Sequence, residues 1–295
     1  MAVVERKTIG ERTFNGVNIF LLTLLSVIFL YPMWHCLMAS FSDPVQLTGY
    51  RGFIFAPLGH SMEGYTAILR NRNIGIGYTN TIIYILAGTS INILLTILGG
   101  YALSRKRLML RRVLTLAFVF TMYVDFGLIP AFLNVKGLGL YNTRWALLLP
   151  GAISTYNLIV MRTAFQAIPA SLEESAYIDG ANDFVILFRI MLPLAKATLA
   201  VIVLFYAVGH WNSWFSAAIY LQNRDYFPLQ LFLREILLAN STTAQMDLGS
   251  LDEVQYLDEL IKYCTIIVAT VPILCIYPFI QKYFVTGVML GSVKE

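Results

Sequence analysis

The sequence predicts an all-α integral membrane protein with six transmembrane helices, on three observations. Hydrophobic residues make up 58% of the 295-residue chain, charged residues only 13%, and mean hydropathy is +0.68, far from the balance of a soluble domain. Six apolar runs reach the roughly 20 residues that cross about 30 Å of hydrocarbon. Lysine and arginine crowd into alternate connections, as they do when one side of a membrane protein faces the cytoplasm.

The first run, 17–38, is too long for the apolar core of a leader and has no small-residue cleavage site after it, so it is expected to remain as an anchor behind a short segment, 1–16. The following runs, at 78–103, 113–132, 145–163, 195–220 and 260–284, complete a six-helix domain over 17–284, with a tail at 285–295. With the N-terminus in the cytoplasm, thirteen of the 21 lysines and arginines lie on that side. Five of them, Arg105, Lys106, Arg107, Arg111 and Arg112, fill the short connection between the second and third spans. That cluster sets the orientation, with both termini and the 171–193 stretch inside. The net charge of +4 then reflects topology. No basic and aromatic residues interleave as a nucleic-acid groove requires, so nucleic acid is excluded as a partner.

Between the fourth and fifth spans lies the one stretch that does not suit a bilayer, 171–193, with EESAYIDGANDFVILFRIMLP at its heart. Ser171 and Glu174 have the S-x-x-E spacing of a capping box. Gly180 supplies the backbone freedom to end that helix, and Asn182 or Asp183 can cap another at once. Phe184, Leu187, Phe188 and Met191 then recur at i, i+3, i+4 and i+7, one apolar stripe of a helix that Pro193 closes. The expected product is a short helix, a glycine turn and an amphipathic helix in need of a covering partner.

Polar groups inside the spans are costly in hydrocarbon and mark either a pathway or contacts between helices. Asn92 and Thr96 in the second span, Asp125 in the outer part of the third and Asn157 in the fourth are the clearest. The fifth span ends in an aromatic group that includes Tyr206, His210, Trp211, Asn212, Trp214 and Tyr220. Trp214 and Tyr220 read as an interfacial belt, whereas Trp211 and Asn212 are candidates to line a sugar-contacting cavity. The outer segments 40–77 and 221–259 are long, and Asp247, Asp252, Glu253, Asp258 and Glu259 make the second acidic. It suits either docking of a soluble protein or plain solvation. Cys36, Cys264 and Cys275 lie in or at the edges of spans and read as small apolar filler, and His35, His60 and His210 have no metal-ligand spacing.

No G-x-x-x-x-G-K-[S/T] loop occurs, so this chain cannot cradle ATP in the P-loop manner, and ATP-driven transport would need a separate ATPase. A secondary transporter would show broken helices at matched places in two halves, and a membrane enzyme a cluster of nucleophile, base or metal ligands. Neither pattern is visible.

The run Glu174, Ser175, Ala176, then Gly180, Ile190, Leu192 and Pro193 resembles the E-A-A-x3-G-x9-I-x-L-P motif of permease subunits in bacterial ABC importers, with serine for the first alanine. The segments YPMWHCLMASFSDP, LIPAFLNVKGLGLYNTRWALLLP, FYAVGHWNSWFSAAIYL and QKYFVTGVMLGSVKE extend the likeness over nearly the whole chain, to the carbohydrate-uptake branch of MalG-type and, closer, LplC-like permeases. The resemblance implies a type I importer fold in which 171–193 forms coupling helices that dock on an ATP-binding subunit. It places Glu174 at the conserved glutamate that meets a basic residue there, unless Glu174 only caps its own helix. Glu173, Ala176, Asp179, Gly180, Phe184, Leu187, Phe188 and Pro193 complete the coupling set. Gly287 and Gly291 lie in a tail that either enters the ATPase interface or frays. The implied partners are a second, MalF-like permease, two ATP-binding cassette subunits and a sugar-binding protein, in a bacterial inner membrane. This chain is then a transport subunit and not an enzyme; it binds no cofactor, and ATP and Mg²⁺ are used by its partners. The expected cargo is an oligosaccharide, such as a uronate oligomer, with another small solute as the alternative.

Overall fold

The computed structural model describes residues 9–243, 257, 259–276 and 278. The described residues form helices and turns with no strand, and they fall into two compact units. The acidic positions Asp247, Asp252, Glu253 and Asp258, and the tail with Gly287 and Gly291, lie outside the described residues.

The first unit takes residues 1–70 and 236–268. Its main element is α1 (Ile9–Ser40), a 32-residue helix. Leu22, Val27, Phe29 and Leu30 stand exposed along α1, as suits a helix whose solvent is hydrocarbon. Asp43 caps α2 (Pro44–Gly49) by accepting from the Val45 and Gln46 amides at 3.0 and 3.1 Å. Helix α3 (Glu63–Arg70) brings Gly64 against Cys264, whose thiol donates to the Ser40 carbonyl at 3.3 Å. Buried Cys264 therefore acts as the small filler its sequence setting predicts, while Cys275 is exposed.

The second unit takes residues 71–235 and 269–295. Its axis is α4, a single helix over Arg72–Ser104 that carries a π-helical turn at Tyr84–Gly88. The next expected span is broken: α5 (Arg111–Tyr123) and α6 (Leu128–Gly137) meet at 117°. Gly127, at φ 85°, allows the reversal. Next come α7 (Trp145–Leu148), an irregular run at 149–154, and α8 (Thr155–Ala167). Helix α9 (Ala170–Ile178) and α10 (Asp183–Leu194) follow, and α10 bends by 87° into α11 (Lys196–Trp211). A short α12 (Phe215–Tyr220) follows, and α13 (Leu229–Thr243) and α14 (Glu259–Ile276) each hold residues of both units.

Three of these helices, α1, α4 and α14, are each long and apolar enough to cross a bilayer, and the pairs α5 with α6 and α10 with α11 pass the same test together. The expected fourth span, 145–163, is interrupted, and α8 has 13 residues, about 20 Å at 1.5 Å per residue against the about 30 Å of hydrocarbon. The fifth is split after Trp211. Hydropathy misses these breaks because the residues at them, such as Leu149, Pro150 and Ile153, are themselves apolar.

Helix α8 packs on α4 where small residues permit close approach: a Cβ on Gly100 would stand 3.2 Å from Met161. Ile97 and Tyr101 of α4, Met161 and Phe165 of α8, and Ile202 and Tyr206 of α11 form one buried core. Ala176, Ile186, Leu187 and Met191 join it, so the 170–194 segment is packed onto the base of the spans.

Candidate functional site

Two features of the second unit can do work. The first is the segment 170–194. Helix α9 starts at Ala170 with Pro169 at its N-cap and no side-chain cap. The expected capping box of Ser171 and Glu174 therefore does not form. Pro169, at φ −55°, already holds the geometry of a helix entrance, which puts Ser171 inside the first turn.

The end of α9 agrees with expectation. Gly180 has φ 81°, its amide donates to the Tyr177 carbonyl at 3.0 Å and the Ala181 amide donates to the Ala176 carbonyl at 2.9 Å, the two bonds of a Schellman ending. Asp179 is the exposed C-cap before it. Asn182 then caps α10 by accepting from the Val185 amide at 2.9 Å.

The apolar stripe divides. Leu187 is 1% and Met191 0% exposed, whereas Phe184 is 66% and Phe188 44% exposed. A π-helical stretch over Ile186–Met191 turns more slowly than an α-helix, so side chains that share a face at 3.6 residues per turn drift apart. Ile186 takes the buried place instead. Pro193 lies exposed in the last turn of α10, before the bend into α11.

The carboxylates also divide. Glu173 forms an ion pair with Arg105, with only 16% and 10% of the two side chains exposed. Asp183 pairs with Arg107 and accepts from the Tyr177 hydroxyl. Burial, followed by the hydrogen bond to Asp183, pushes the Tyr177 phenol well above its ordinary pKa. Glu174, next to Glu173, is exposed and forms no ion pair among the described residues. It lines a cleft of about 420 Å³ with Lys106, Arg107 and Arg111.

The second feature is a polar cavity of about 460 Å³ lined by Asn92, Ser154, Asn157, Tyr206, His210 and other residues. It sits where the chain breaks at 149–154. Asn92 donates to the freed carbonyls of Gly151 and Ala152 at 3.1 and 2.8 Å, and its oxygen lies 2.7 Å from His210 Nε2. The Tyr206 hydroxyl accepts from the Ser154 amide at 3.0 Å and lies 2.8 Å from Thr96 Oγ1. Side chains thus satisfy backbone groups that a broken helix leaves bare in a membrane.

Asn92 and Asn157 therefore meet at one cavity, as two of the five expected pathway residues. The other three go elsewhere. Buried Trp211 lines a separate apolar groove with Leu204 and Val208, and exposed Asn212 turns its amide back onto the Val208 carbonyl at 3.0 Å. Exposed Asp125 accepts from the Gly127 amide at 3.0 Å in the turn between α5 and α6. The partnerships of Arg105 and Arg107 were not foreseen; the only signal in sequence was their place in a basic cluster, which topology alone accounted for.

Residues 12–289 match the family described as "Binding-protein-dependent transport system inner membrane component". The chain is 40% identical over 288 residues to the "Polygalacturonan/rhamnogalacturonan transport system permease protein YtcP" of Bacillus subtilis, covering 96% of this chain and 99% of the relative. It is 36% identical over 291 residues to "Protein LplC" of the same organism, covering 97% of each. Among solved structures it resembles a chain of a bacterial ABC transporter "involved in the import of the acidic polysaccharide alginate", with TM-score 0.85, 33% identity, and coverage of 95% of this chain and 100% of the other.

Proposed function

The chain belongs to the family of inner membrane components of binding-protein-dependent transport systems, and from that premise we propose that it passes an acidic oligosaccharide of the uronate class across the membrane. It is an ABC transporter permease and a transport subunit, not an enzyme. The cargo reading rests on relatives whose names specify polygalacturonan, rhamnogalacturonan and alginate.

The single observation that carries the coupling role is the contrast between neighbouring carboxylates. Glu173 is satisfied within the chain, and Glu174 is held outward on a helix that is anchored from behind by Ala176. Glu174, with exposed Phe184 and Phe188, is the docking surface for an ATP-binding subunit. Leu187 and Ala176 carry its displacement into the spans, Gly180 and Asp179 set the turn, and Pro193 marks the bend into α11. The full assembly pairs this chain with a different permease of the same family, two ATPases that use ATP and Mg²⁺, and a sugar-binding protein. Both termini and 170–194 face the cytoplasm, as the five basic residues of 105–112 favour. Asn92 and Asn157 sit on the sugar's path, where Tyr156 and Phe205 add aromatic faces. Nucleotide at one end and loaded binding protein at the other bias the outward and inward states, which is what couples the two sites.

Reconstituted transporter decides this. Binding protein loaded with a galacturonate or guluronate oligomer should stimulate ATP hydrolysis and uptake, a neutral oligomer of equal length should not, and Glu174→Ala should abolish uptake with the complex still assembled. Normal uptake by Glu174→Ala would remove the coupling assignment, and stimulation by neutral oligomers alone would remove the cargo class.

A further inference from the structure

We propose that Arg105 and Arg107 are positioning residues that clamp both arms of the coupling segment to the end of α4, so that the segment and α4 move as one body. The proposal rests on the coupling reading above and adds the residues that make the coupling segment stiff.

Arg105 directly follows the last residue of α4. Besides its ion pair with Glu173, its Nε donates to Ser104 Oγ at 2.9 Å, its Nη2 to the Phe165 carbonyl at 3.4 Å, and its guanidinium lies 4.8 Å from the Tyr101 ring centre. One planar fork therefore touches α4, α8 and α9 together, a use to which arginine's fixed donor geometry is suited. Two residues on, Arg107 reaches the other arm. It pairs with Asp183 at the start of α10, donates to the Tyr177 hydroxyl of α9, and its guanidinium lies 4.7 Å from the Tyr177 ring centre. Tyr101 of α4 adds a 3.4 Å hydrogen bond to the same Asp183 oxygen.

Helices α9 and α10 are joined by residues 179–182, a turn closed by the Gly180 and Ala181 amides and the Asn182 cap. Apolar packing holds the inner side of each arm, through Ala176 of α9 and Ile186 and Leu187 of α10. The two arginines add a polar tie on each arm, at Glu173 and at Asp183, to the end of α4. Topology alone does not require this arrangement: Lys106, Arg111 and Arg112 belong to the same basic connection and form no ion pair among the described residues. Two of the five charges are thus paired with the coupling segment, while Lys106 and Arg111 line the cleft beside Glu174.

Hydrogen exchange and ATPase measurements on the assembled transporter in nanodiscs test the clamp. Arg105→Gln should raise amide exchange over 171–178 roughly tenfold, and the stimulation of hydrolysis by loaded binding protein should fall at least about fivefold. Arg107→Gln, at an exposed pair, should do the same more weakly over 181–185. Arg105→Lys, which keeps the charge beside Glu173 but not the fork that also reaches the Phe165 carbonyl, should fall between wild type and Arg105→Gln in both readouts. Unchanged exchange in both glutamine variants would overturn the clamp. So would raised exchange with full stimulation. If the wild type itself is not stimulated by loaded binding protein, the importer reading fails, while the exchange pattern still decides whether the arms are clamped.

Discussion

Replacing Gly88 with alanine isolates the contact on which the polar cavity depends. A Cβ at Gly88 would stand 2.3 Å from His210 Nε2 and 2.4 Å from its Cε1. Carbon and nitrogen need about 3.4 Å at closest, so the imidazole must move by about 1 Å, and the 2.7 Å bond to Asn92 Oδ1 cannot survive that shift. Leaving a buried polar group unsatisfied costs about 1–3 kcal/mol, and overpacking a filled site costs about 1–3 kcal/mol more. Alanine in place of a helical glycine returns roughly 0.5–1 kcal/mol. The net destabilisation is therefore about 1–5 kcal/mol. In a His210→Ala background the obstructing ring is gone and only the favourable helix effect remains, so the same Gly88→Ala change should stabilise by about 0.5–1 kcal/mol. A double-mutant cycle, read as unfolding of the purified chain in detergent, should thus show a change of sign. Equal effects of Gly88→Ala in the two backgrounds would refute the contact between Gly88 and the His210 ring.

Two further substitutions separate backbone from chemistry. Gly180→Val places a β-branched residue at φ 81°, where L-residues cost about 1–2 kcal/mol or more. With open space around that position, Gly180→Asn, which tolerates this conformation, should retain uptake that Gly180→Val loses, as a transport assay on both variants checks. Asp125→Asn keeps the turn-forming acceptor for the Gly127 amide. Uptake should stay within about twofold of wild type, the scale of a surface change, and a larger loss in proteoliposome uptake would return Asp125 to the pathway.

What could be read in sequence was local. Gly180 and Asn182 announced their turn and cap because a left-handed ending and an Asn N-cap depend only on neighbouring backbone. Ser171 misled because the capping-box spacing carries no information on where Pro169 starts the helix. The stripe of Phe184, Leu187, Phe188 and Met191 misled for a related reason: an assumed 3.6-residue turn conceals a π-helical stretch that sends two of the four outward.

Chain length and apolar content by themselves determined a helical membrane protein, since hydrocarbon admits few backbone solutions, and the likeness of the Glu174-to-Pro193 run to a permease motif pointed to its kind. Tertiary structure alone decided which carboxylate is which. Glu173 and Glu174 are neighbours of one chemistry, and about 100° of helical rotation turns one toward Arg105 and the other to solvent. The same holds for Asn92, whose bonds reach residues 59, 60 and 118 positions away. Such pairings have no local cause, because they exist only once α4, α8 and α11 are packed.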